Sequence, residues 1–279
     1  MNDCSTAQRA RSLAEWQGLP AKLARLTLLA LLTRLALPAL LTLTGCAGTP
    51  PPDWQMNAHG ALERAVAAHL AGVDRVATLE FKRARSALAA TGRPDLVARG
   101  ELLRCAADVA GLQFGPCAGF EPLRQDAHAA ELAYADHVFA AQRQAPISAE
   151  RQALLPPAQR VLAAPPDGSA ADLARLQSVN DPLSRLVGAA LWLRDGRASP
   201  AVMALAVDTA SAQGWRRPLL AWLQAASLQA QASGNAADAA RLERRMQLVL
   251  KEVLGGVLED TLRKATTPAA TPAKASTPG

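Results

Sequence analysis

Aromatic side chains are scarce, at 4% of 279 residues, with a single tyrosine. A nucleic-acid surface needs aromatic platforms or a basic cluster interleaved with them, and neither is present. Nucleic acid is therefore excluded as an expected partner. β-branched residues are thinly spread, and no long stretch alternates apolar with polar side chains. Strands have little to start from. No nucleophile elbow, zinc-protease helix, phosphate loop or dinucleotide loop occurs, so no enzyme signature is present. Histidine is limited to His59, His69, His128 and His137. His59 and Glu63 stand one helical turn apart, but a metal needs a further ligand, and His69 falls on an apolar face. No metal or other cofactor is expected.

Alanine and leucine dominate what remains, and both favour helix. Half the residues are apolar, enough to bury a core. The formal net charge is +6. Half of that excess lies in the first 45 residues, where Arg9, Arg11, Lys22, Arg25 and Arg34 face only Asp3 and Glu15.

That opening segment reads as an export address. Basic residues come first, then an apolar run from Leu35 to Leu43, then small residues. The run ends in Leu43-Thr44-Gly45-Cys46, which resembles the lipobox of bacterial lipoproteins. The resemblance implies that a diacylglyceryl group is placed on the Cys46 thiol. A signal peptidase then cuts before Cys46, and acyl chains hold the protein at a membrane. Ala47 follows the cysteine where inner-membrane lipoproteins often carry aspartate, so the resemblance favours the outer membrane, facing the periplasm. Ala47 through Pro52 would form a tether. The competing reading is a transmembrane anchor of about 19 residues from Leu26 to Thr44. Arg34 and Pro38 near its middle oppose it, an Arg there costing ~2.5–3.5 kcal/mol. A cytosolic protein with an apolar first helix is the other alternative.

Cys105 and Cys117 are the two cysteines left in an exported body, and they invite a disulfide. On one continuous helix they would lie about 18 Å apart. Gly111, Gly115 and Pro116 between them let the chain reverse. Two buried thiols are one alternative; metal binding is another, opposed because two cysteines make half a site and no histidine sits at useful spacing.

Helical periodicity recurs along the body, broken by Gly and Pro. Leu62, Ala65, Val66, His69, Leu70 and Val73 share a face, and Leu102, Cys105, Val109 and Leu112 share another. Asp181-Pro182 and Ser199-Pro200 read as caps followed by proline in the first turn, and Asn235 as a further cap. The expected class is all-α, built of antiparallel helix pairs. Trp222 through Met246 loosely resembles a tetratricopeptide-type repeat: Trp222, then Ala225, Ala226 and Ser227, the turn Gly234-Asn235, then Ala239, Leu242 and Met246. That resemblance implies a superhelical stack.

The expected organisation is a signal peptide over 1–45, a tether over 46–56 and a helical subdomain with the disulfide over 57–143. An irregular Pro-rich connection over 144–170, a second helical subdomain over 171–264 and a disordered tail over 265–279 complete it. The functional expectation is a lipid-anchored periplasmic scaffold or protein-binding module of the cell envelope, with an envelope protein as partner. Trp215 and Trp222 are expected in the core rather than on a binding face. The alternatives are a wall hydrolase, which would need Glu121 or Glu131 buried beside a second acid, and a passive structural lipoprotein.

Overall fold

The computed structural model describes residues 51–139 and 147–266, of which 252–266 as backbone alone. The expected signal peptide, Cys46 and the residues beyond 266 lie outside them. Among the described residues every regular element is helical. Helix α1 spans Asp53–Leu70, α2 Asp74–Ala89 and α3 Pro94–Ala110. A 3-10 turn at Glu121–Asp126 precedes α4, Ala129–Phe139. Two short helices follow, α5 at Ala149–Ala153 and α6 at Pro157–Leu162. Then come α7 at Ala170–Ser178, α8 at Pro182–Arg194 and α9 at Pro200–Ala212. The series ends with α10 at Arg216–Ala232 and α11 at Ala236–Thr266.

Helix starts follow the side-chain chemistry. Asp181 accepts from the Ser184 N–H at 2.7 Å, and Ser199 from the Val202 N–H at 3.3 Å, each followed by proline. Asn235 accepts from the Asp238 N–H at 3.1 Å. Each cap satisfies a backbone donor that the first turn leaves open. α1 starts at Asp53, inside the expected tether, because helix is possible as soon as the Pro50–Pro52 run ends. An acid in that first turn suits the helix dipole.

Helix ends mark where the chain reverses. Gly214 and Gly234 take φ of +65° and +75°. The residues after them donate back to Ala210 and Ala230 at 3.0 and 2.9 Å. This left-handed ending is open to glycine at little cost. α3 ends differently. Leu112, expected on its apolar stripe, lies past the helix end with φ +60°. Gly111 ahead of it has φ −93°. Leu112 accepts the left-handed position while its side chain packs against the main core, which offsets a strain of roughly 1–2 kcal/mol.

Neighbouring helices pack as pairs: α1 with α2, α9 with α10, and α10 with α11. The main core draws on helices from both sides of the Pro-rich connection. Leu70, Val109 and Val138 meet Leu186, Val187, Trp222 and Leu223 within it. Two buried indoles tie these helices together. Trp222 Nε1 donates to the Ala110 carbonyl at 3.1 Å, and Trp192 Nε1 to the Leu162 carbonyl at 3.2 Å. Both acceptors are the last residues of their helices, where carbonyls lack an intrahelical donor. Arginines serve the same purpose. Arg217 reaches the His69 carbonyl at 2.8 Å, Arg216 the Ala71 carbonyl at 3.0 Å, and Arg194 the Val138 carbonyl at 2.8 Å.

Candidate ligand-binding site

Cys105 on α3 and Cys117 in the following loop form a disulfide, with Cα atoms 5.8 Å apart. The helix ends at Ala110, and the chain turns back through Gly111 to Pro116 as the expected reversal requires. The bridge lies in a second core cluster with Ala98, Leu102, Phe120 and Ala135. It pins the loop and 3-10 turn that lead into α4.

α4 brings Glu131 and Tyr134 against α3. Arg99 on α3 donates to Glu131 Oε1 through both Nε, at 2.9 Å, and a terminal nitrogen, at 2.6 Å. Glu131 Oε2 is buried and has no hydrogen-bond partner among the described residues. Glu131 is only 5% exposed, and the group beside it is a cation rather than the second acid a hydrolase would require. Glu121 stands exposed against Arg124 at 3.0 Å. That hydrogen bond, opposed in part by desolvation, holds its carboxyl below the usual range, opposite to a general acid. Arg124 also contacts Asp136 at 3.2 Å.

A cavity of about 490 Å³ opens beside the Arg99–Glu131 pair. Its apolar wall includes Leu62, Leu102, Leu103, Leu154, Leu155 and Pro156. Its polar lining comprises Arg99, Glu131, Tyr134, Gln159 and Ser184. Gln159 on α6 is 1% exposed. Its amide nitrogen donates to the Ser184 carbonyl at 3.0 Å. A carbonyl only accepts, which fixes the amide orientation and leaves Gln159 Oε1 as a second buried oxygen without a donor among the described residues. Burial, with a smaller contribution from Asp181, keeps the Tyr134 phenol protonated well beyond its usual range. The site therefore combines a greasy wall with a neutral phenol and a compensated ion pair. It is of a size and character suited to a small ligand.

Two other cavities differ in character. One of about 360 Å³ lies between α1, α2 and α3, with Lys82, Arg85 and Arg104 among its lining groups. Another of about 350 Å³ lies between α9, α10 and α11 and is more polar.

Trp222 is fully buried and Trp215 packs half-buried against the core, as expected. His59 and Glu63 meet at 3.2 Å on an exposed face. His69 Nε2 lies 2.9 Å from Asp108 Oδ1, His128 lies 3.8 Å from Asp95, and His137 is buried. No group of three metal-ligating side chains forms among the described residues. Nor is any described helix long and apolar enough to cross a membrane. Sequence reasoning did not single out Arg99, Gln159 or Ser184. Their meeting depends on how α3, α6 and α8 pack, and no local spacing encodes that. Comparisons with protein-family models, curated proteins and solved structures found no match for this chain.

Proposed function

We propose that the protein is a lipid-anchored helical binding module of a bacterial cell envelope, facing the periplasm and held by acyl chains on Cys46. The observation that carries this reading is the order of residues before Cys46: basic residues, an apolar run, then Leu43-Thr44-Gly45-Cys46. The Cys105–Cys117 bridge supports it, because disulfides persist in oxidising compartments. The helix pairs provide a body on which an envelope protein can dock. The absence of aspartate at position 47 favours the outer membrane. Metabolic labelling with palmitate tests the anchor. Label enters the wild-type chain and is lost in Cys46→Ser; equal labelling of both, or of neither, overturns it. Crosslinking in intact envelopes followed by capture tests the partner.

A further inference from the structure

The geometry points to the cavity between α1, α2 and α3 as a binding site for a small amphipathic anion, an apolar body ending in one carboxylate. This goes beyond the anchoring proposal and stands whether or not Cys46 is acylated. Two features carry it: uncommitted donors along one helix face, and the apolar wall beside them. Thr78, Lys82 and Arg85 stand on successive turns of α2, and all three line the cavity. All three are exposed, so a ligand entering from solvent can meet them. The Thr78 hydroxyl and the Lys82 ammonium have no partner among the described residues. Arg85 commits only its Nε, to Glu101 at 3.0 Å, and its terminal nitrogens have no partner among those residues. The apolar wall is supplied by Leu62 and Val66 of α1, Phe81 of α2 and Ala107 of α3. The volume, about 360 Å³, suits a short alkyl body.

The charge of the head group follows from the neighbours. Asp74 pairs with Arg217, Asp108 with Arg104, and Glu101 with both Arg85 and Arg104. His69, also in the lining, lies 2.9 Å from Asp108. Three acids thus meet three arginines, and the Lys82 charge is left over. A single anion balances it. An ammonium ligand would meet Lys82, Arg85 and Arg104 with like charge. A neutral alcohol would gain the apolar wall without the ion pair. Carboxylate oxygens can accept from ammonium, hydroxyl and guanidinium together, and such charge-assisted bonds are the stronger kind. The apolar wall beside them lowers the local dielectric, which strengthens the pairing relative to an open helix face. Arg104 already stands over the Phe81 ring, 5.5 Å from its centroid, so this cationic group is in place before a ligand arrives.

The test uses the full chain in non-ionic detergent at neutral pH and photoreactive analogues of octanoate, octanol and octylammonium, each bearing a diazirine. Labelled peptides are mapped by mass spectrometry. The octanoate probe is expected to label segments around Leu62 and Phe81 about tenfold more than octanol, which has the same apolar body but no charge. The octylammonium probe is expected to stay at or below the octanol level. Lys82→Gln should bring octanoate down to the octanol level. Arg85 is left in place, because it pairs with the buried Glu101. Thr78→Trp, at an exposed lining position, should block labelling of these segments by every probe. Retained helicity in both variants checks folding, and the comparison of probes on the wild-type chain needs no variant. Equal labelling by octanoate and octanol, or stronger labelling by octylammonium, overturns the anionic ligand. Octanoate labelling unchanged in Lys82→Gln overturns the part given to Lys82, and labelling that survives Thr78→Trp overturns the site.

Discussion

At the scale of single residues, close approach and buried charge decide most outcomes. A Cβ on Gly188 would come within 2.2 Å of Leu162 Cδ1 and 3.3 Å of its Cβ. α8 and α6 meet there without room for a methyl group. Gly188→Ala gains up to ~1 kcal/mol of helix propensity, and overpacking costs ~1–3 kcal/mol, so the variant is expected to be destabilised. Urea unfolding monitored by circular dichroism checks the sign; a more stable Gly188→Ala would refute the tight contact. Gly119 is similar, since a Cβ there would meet Glu101 Oε2 at 2.1 Å, where that carboxylate pairs with Arg85. Neither glycine stood out in the sequence, because a close approach between distant segments leaves no local mark.

The carboxylates predict a pH response. A hydrogen bond from Arg64 holds the Glu80 carboxyl below its ordinary value of 4.5, and one from Arg93 holds Asp95 below 3.8. Desolvation opposes both shifts without reversing them. Groups lowered in the folded state stabilise fully above their unfolded values. That contribution is lost as pH falls through the lowered folded values. The contribution of these pairs should therefore be full and independent of pH near neutrality, and thermal stability should decline below about pH 4.5. Glu80→Gln and Asp95→Asn should flatten that decline. An unchanged acid limb in the double variant would contradict the assignment.

At the scale of elements, much was legible. The Asp181, Ser199 and Asn235 caps, and the Gly234 turn, act where local chemistry placed them. These signals involve residues within a few positions of one another, so they survive in the sequence. The end of α3 was less legible. The apolar period continues to Leu112, but the helix stops at Ala110, and core packing holds Leu112 left-handed. The disulfide was legible from two cysteines with turn residues between them. It closes a short loop, and its loss is expected to cost on the order of 3 kcal/mol. Denaturation with and without reductant measures this. An identical midpoint in both would show that the bridge leaves stability unchanged.

At the scale of the molecule, the main core joins helices on both sides of the Pro-rich connection. Trp222 holding Ala110 and Arg217 holding His69 are bonds across more than a hundred residues of chain. The described body is therefore expected to unfold in one transition, with tryptophan fluorescence and circular dichroism coinciding. Two separated transitions would show that the halves fold independently. The cavity belongs to this scale too. Arg99, Glu131, Gln159 and Ser184 come from separate helices, and only the assembled packing brings them to one surface. Composition and periodicity were enough for an all-α body, and not for the place where its polar groups go unmatched.

The proposed function turns on what happens at Cys46. Intact mass spectrometry of the protein extracted from its native envelope tests that most directly. The account predicts a chain whose first residue is Cys46, carrying the mass of a diacylglyceryl group. A chain that retains residues 1–45, or one that begins at Cys46 without lipid, would contradict it.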